Sequence, residues 1–236
     1  MLKLTDLKKE LRSYSNKEKA KLLQGFFKTG PGEYAEGDIF LGVMVPQSRI
    51  VAKKYKELQF SDIRKLLYSK IHEERLIALF ILIHNFQTKD NSQKQIFDFY
   101  LRSTKYINNW DLVDLSAHKI VGAYLFKNKK GSPLLKKLAK SKSIWERRIA
   151  VISTFYYINN NEFSESLEIA RMLLKDDHDL IHKAVGWMLR EIGKRSLETE
   201  EQFLKKHYKS MPRTMLRYSI ERFPKKKRKA YLFGKL

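Results

Sequence analysis

EERLIALFILI (Glu73–Ile83) and WERRIAVISTF (Trp145–Phe155) share the pattern E-R-x-I-A at a separation of 72 residues, and IHKAVGWMLR begins a third such stretch at Ile181. In each, apolar side chains return at the three- to four-residue spacing of a helix, with no period-two alternation between turn signals. A separation of 72 is about twice the length of a helix-pair repeat, so a further unit is expected between the first two. INNWDLVDLSAHK (Ile107–Lys119) fills that gap. Placing Leu76, Asp114, Arg148 and Lys183 at one equivalent position gives periods of 38, 34 and 35; each is followed by apolar or small residues, IAL, LSA, IAV and AVG.

The rest of the chain reads the same way, and the fold class predicted is all-α. Breaks are expected at Thr29–Asp38, Thr88–Ser92, Lys127–Pro133, Asn159–Glu162, Lys175–Asp179 and around Pro212, where Gly, Pro, Asn and Asp collect. Pro46 suits the first turn of a helix, and Ser61 is placed as the N-cap of the one that follows. Helix pairs of this length stack into HEAT- and armadillo-like superhelical solenoids of antiparallel helices, with one helix of each pair lining a concave face. In that register Trp110 lies four residues before its equivalent position and Trp187 four after. Both then fall about 40° from the line of Asp114, Arg148 and Lys183.

Lys and Arg number 48 against 26 Asp and Glu, a formal charge of +22 in 236 residues with 43% apolar content. A chain of this kind has a core to bury and a surface that attracts a polyanion, nucleic acid or anionic membrane. Its longest apolar run, LIALFILI (Leu76–Ile83), is far short of the roughly 20 residues of a bilayer span. Charges interrupt the apolar positions of MLKLTDLKKELRSYSN (Met1–Asn16), so no secretory signal is read there and a cytoplasmic protein is expected. The absence of cysteine excludes disulfides, thiolate nucleophiles and Cys-based metal sites.

Four segments in order carry a resemblance: YAEGDIFLGVMVPQSRIVAKKY (Tyr34–Tyr55), NNWDLVD (Asn108–Asp114), SIWERRIAV (Ser143–Val151) and HKAVGWMLREIGK (His182–Lys194). Over roughly Leu22 to Tyr218 the chain resembles the DNA alkylation repair glycosylases with HEAT-like repeats. The resemblance implies a bacterial-type, monofunctional, metal- and cofactor-free glycosylase that removes cationic N3- and N7-alkylated purines from double-stranded DNA. It implies that Asp114, inside an intact W-D-x-V-D, is the functional carboxylate, that Trp110 and Trp187 are its aromatic partners, and that Arg148 contacts phosphate. Lys183 is added from the repeat register as a further cation on the same face. Where the family sometimes places two aromatics before the acid, this chain has Asn109 and then Trp110.

The chemistry fits those residue types. Alkylation leaves a positive charge on the purine and weakens its bond to the sugar, so a carboxylate near the anomeric carbon suffices to stabilise the oxocarbenium-like state and orient water. Tryptophan is the best aromatic partner for a cation. Residue type alone does not separate Arg147 from Arg148; the register and the motif prefer the second. A non-catalytic nucleic-acid-binding or protein-scaffold repeat protein stays open as the alternative.

The remaining motifs carry less. His178 and His182 are four apart but have no third ligand nearby in sequence, so no metal site is read. Gly30, Gly32, Gly37 and Gly42 precede no G-K-[ST] and predict a structured surface loop, docked through Tyr34, Asp38 and Phe40 if the resemblance holds. The expected organisation is one domain over residues 1–223, a basic tail over 224–236 containing Lys225–Lys229, and a monomer.

Overall fold

Helices form at every stretch with helical periodicity. The computed structural model describes residues 3–129 and 131–235; Lys130, within the break expected at Lys127–Pro133, and Leu236, ending the expected tail, lie outside them, as do Met1 and Leu2. Two compact units are present, Met1–Ser116 and Ala117–Leu236. The first contains α1 (Leu4–Ser13), α2 (Lys17–Phe26), α3 (Val45–Lys54), α4 (Phe60–Leu67), α5 (His72–Thr88), α6 (Gln93–Arg102) and most of α7 (Trp110–Ala117). The second contains α8 (Ala123–Lys127), α9 (Gly131–Ala139), α10 (Ile144–Asn159), α11 (Ser164–Met172), α12 (Asp179–Gly193), α13 (Leu197–His207), α14 (Arg213–Ser219) and α15 (Lys225–Leu232).

Among the described residues there is no strand; an isolated parallel bridge joins Ile39 to Ile71. Among the described residues no helix is long and apolar enough to cross a membrane. The all-α class is therefore as expected. The repeated helices α5, α7, α10 and α12 begin at His72, Trp110, Ile144 and Asp179, so their starts lie 38, 34 and 35 residues apart, matching the periods read from the sequence. A fifth start, α14 at Arg213, follows 34 residues later. One local expectation is corrected: α4 begins at Phe60, with Gln59 in the N-cap position, and Ser61 is inside the helix. Early helix formation places the Phe60 ring edge-on to Phe99 at 4.9 Å. Pro46 does lie in the first turn of α3.

α5 buries 13 of its 17 residues, because α3 and α4 pack against it. Its opening tetrad His72, Glu73, Glu74 and Arg75 is charged or titratable yet 0–3% exposed, which demands a partner for each. The Glu73 carboxylate accepts the backbone N–H groups of Leu41, Gly42 and Val43 at 2.9–3.2 Å. Glu74 takes Lys8 at 2.8 Å and Arg12 at 3.4 Å from α1. Both acids also sit at the positive end of the helix. The Gly-rich stretch is thereby tied down as a structured loop. At Gly42, φ is +81° and an added Cβ would lie 2.1 Å from the Asn16 carbonyl oxygen, so only glycine fits where the loop crosses the start of α2.

Just before α7 the buried Asn109 side chain accepts the Trp110 N–H at 2.8 Å. Leu112, Val113 and Ser116 form its buried side, with Tyr100 of α6 hydrogen-bonded to Ser116 Oγ at 2.8 Å. The five residues that follow, His118–Gly122, wind as a π-helix, a turn that inserts a residue into the helical register. Gly122 then meets α10 so closely that a Cβ would lie 2.2 Å from the Ser153 carbonyl oxygen.

The basic segment after Phe223 is folded over most of its length. α15 packs on the second unit through Tyr231, 1% exposed, which lies edge-on to Tyr208 and Phe223 at 5.4 and 5.6 Å.

Candidate functional site

The expected site residues fall in both units. In the first, Trp110 and Asp114 stand one turn apart on α7 and both are half-buried. The Trp110 indole is stacked on Phe27 at 5.2 Å and 22°, with Phe26 edge-on at 5.9 Å. Phe27 continues the stack onto Phe40 at 5.1 Å, and Phe40 onto the His72 ring at 4.4 Å. One face of Trp110 is thus supplied by the chain itself. Asp114 also acts on its own neighbourhood: burial, with its charge adding to the effect, pushes the Tyr100 phenol well above the usual range.

Beside the aromatic stack runs a line of charges, buried except for the half-buried Asp111 at its end. Arg75 reaches Asp38 at 2.5 Å, Asp38 lies 3.4 Å from His72 Nδ1, and His72 Nε2 lies 2.8 Å from Asp111. Burial would lower the His72 pKa, but the Asp111 carboxylate, helped by Asp38, outweighs it and raises the value. Asp38 is held low: burial opposes this, yet the His72 hydrogen bond and the Arg75 charge prevail. The His72 ring thus lies between two carboxylates, and its Nε2 contact holds Asp111, the residue after Trp110. An apolar cavity of about 130 Å³ opens beside this line, walled by Phe26, Phe27, Phe40, Met44 and Val45.

In the second unit, Trp187 and Lys183 lie four residues apart on α12. The Trp187 N–H donates to Glu191 at 3.0 Å, and its ring lies 5.7 Å from Phe155 of α10. Lys183 is 39% exposed and pairs with Asp179 at 2.7 Å. Arg148 departs from the open phosphate fork that its motif suggests. It is 4% exposed, and one guanidinium nitrogen donates to the carbonyl of Leu180, tying α10 to the start of α12. Arg147, the rival, is half-buried and engaged by Asp176 at 2.6 Å. Of the two histidines, His178 accepts the Leu180 N–H at 3.1 Å as the cap of α12, and His182 contacts the Asp176 carbonyl.

Residues 7–223 match the profile of the family described as DNA alkylation repair enzyme, most of the chain's length. The chain belongs to the DNA alkylation repair enzyme family. Solved structures share its fold. A predicted DNA alkylation repair enzyme from Enterococcus faecalis is similar with a TM-score of 0.69 at 16% identity, over 89% of this chain and 97% of that one. AlkD2 from Streptococcus mutans is similar with a TM-score of 0.55 at 18% identity, over 92% and 96%. No curated protein matches.

In this DNA alkylation repair enzyme, Phe26 and Phe27 against Trp110, and His72 against Asp111, are neighbours of the candidate site that the sequence does not single out. The signal available was the pair Phe26–Phe27 ending a helix before a Gly-rich loop, and Phe26 is 63% exposed. It carries no pattern of its own, because its partner Trp110 is more than eighty residues away. Asn109, standing where the resemblance suggested a second aromatic, is buried and accepts the Trp110 N–H.

Proposed function

We propose that this DNA alkylation repair enzyme is a DNA glycosylase that hydrolyses the N-glycosidic bond of cationic N3- and N7-alkylated purines in duplex DNA. The observation that carries the reading is the W-D-x-V-D motif on α7, with Trp110 and Asp114 half-buried one turn apart in a chain matched to the repair family over residues 7–223. In the reaction the C1′–N bond breaks with its electron pair going to the purine, which leaves neutral. The positive charge passes to the sugar, where the Asp114 carboxylate stabilises it. Water then adds to C1′ and gives up a proton, which the carboxylate accepts. Trp110 and Trp187 favour a charged base over a neutral one by about 0.5–2 kcal/mol each. Arg148 and Lys183 contribute positive charge to the phosphate backbone. The enzyme acts as a monomer on DNA in the cytoplasm.

The non-catalytic reading has one observation in its favour: Phe27 covers a face of Trp110 that a lesion would otherwise use. Incubating duplex DNA methylated at N3 and N7 positions with the protein, and measuring released bases, separates the two. Release is expected from wild type and is expected to fall about 10²- to 10³-fold in Asp114→Asn. Wild-type binding without release establishes the non-catalytic reading; undiminished release by the variant removes Asp114 from the mechanism.

A further inference from the structure

Positive charge is not spread evenly along this chain. Residues 205–236 contain twelve Lys and Arg against one Glu, so this short C-terminal portion holds +11 of the total +22. Its centre is α15, which begins just after the family match ends at residue 223. The helix is firmly seated. Tyr231 is buried among aromatics, Lys227 pairs with Glu201 and lies 5.3 Å over the Phe223 ring, and Arg213 donates to the Leu232 carbonyl at 2.8 Å. Lys227 and Tyr231, four apart, define the side that faces the protein.

The other side is cationic. Lys225, Lys226, Arg228 and Lys229 are all exposed, and at 3.6 residues per turn they fall within an arc of about 160° opposite Lys227. The nearest acids do not offset them: Glu201 is taken by Lys227, Glu221 by Arg190, and Glu200 is 2% exposed. Membrane-surface helices present an apolar face beside their cations. Here Tyr231 is turned inward, and the exposed aromatic is Phe233 at the C-cap, one ring beside four cations, so charge dominates the face. That suits a phosphate backbone.

We propose that α15 is a second DNA-binding surface, made of residues other than those of the lesion site, that grips duplex phosphates without regard to sequence. The inference rests on DNA being the substrate, as proposed above. It gives the protein a hold on undamaged DNA while lesions are sought, and it raises the salt dependence of binding.

The test is the affinity of the full chain for an unmodified duplex of about 25 base pairs, measured by fluorescence anisotropy across salt concentrations, beside K225Q/K226Q/R228Q/K229Q. Each phosphate contact contributes about 0.9 to the slope of log K against log salt, so the variant's slope should be shallower by about 3 to 4. The wild-type advantage should then shrink roughly hundredfold between 50 and 200 mM salt. K225Q/K229Q should show about half the change. An unchanged slope overturns the proposal while leaving Asp114 chemistry standing, since no base release is read. Failure of wild type to bind duplex overturns this proposal and the glycosylase reading together. Loss of binding to phosphatidylserine vesicles with an unchanged DNA slope reassigns α15 to a membrane and also overturns it.

Discussion

Arg148 and Lys183 were read from the sequence as two cations on one face, but their settings make opposite predictions. Arg148 is 4% exposed and satisfies the Leu180 carbonyl, so Arg148→Ala should lose roughly 1–3 kcal/mol of stability in urea unfolding as well as DNA affinity. Lys183 pairs with Asp179 at the surface, and Lys183→Gln should cost under about 0.5 kcal/mol of stability while still weakening DNA binding. Equal stability losses would show that burial does not distinguish them. Glu200 supplies a second contrast. Burial, with the Glu201 charge adding to it, pushes its carboxyl up to about 8 from an ordinary 4.5. The folded state therefore holds the proton more tightly than the unfolded one. Its contribution is fully present below pH 4.5 and is lost as pH rises towards 8, by roughly 1.4 kcal/mol per pH unit. Glu200→Gln should remove that part of the pH dependence and be relatively more stable at alkaline pH, as thermal unfolding at several pH values would reveal.

Among the elements, the loop between α2 and α3 depends on α5. Glu73 satisfies three consecutive backbone N–H groups, so Glu73→Ala should cost about 3 kcal/mol or more, and hydrogen exchange should accelerate first at Leu41–Val43. Exchange that rises uniformly over the unit would mean that the loop and helix unfold as one. This loop brings Phe40 against Phe27, which stacks on Trp110, so its loosening should reach the candidate site. In the second unit the π-turn and α10 meet at Gly122, where a Cβ would collide with the Ser153 carbonyl. Gly122→Ala should destabilise by about 1–3 kcal/mol in the same unfolding assay, although alanine is the better helix former. A stabilised variant would contradict the close approach.

For the molecule as a whole, charge sets the dependence on conditions. His72 is raised above 6.5, so its contribution is complete below pH 6.5 and disappears as pH rises through the higher folded value. Asp38, held below 3.8, contributes above that value and loses its contribution as pH falls through the lower folded value. With Glu200 acting in the same direction as His72, the thermal midpoint should be higher near pH ~5.5 than near pH ~8.5. A flat profile, or one rising with pH, would show that these buried groups do not govern it.

Helix positions were legible because they follow from neighbours three and four residues apart: the 3.6-residue period and the spacings of 38, 34 and 35 recur as the starts of α5, α7, α10 and α12. The W-D-x-V-D motif was legible for the same reason, as it lies within two turns of one helix. Ser61 was misplaced because the cap preference of serine is weaker than the packing of Phe60 on Phe99. What surrounds those helices was decided by the fold alone. Phe27 over Trp110, Asp38 and Asp111 on either side of His72, and Arg148 turned towards Leu180 join residues from 32 to more than eighty positions apart. A chain pattern encodes which side of a helix is buried, but the identity of the group that meets it depends on loops and crossings that no local spacing contains.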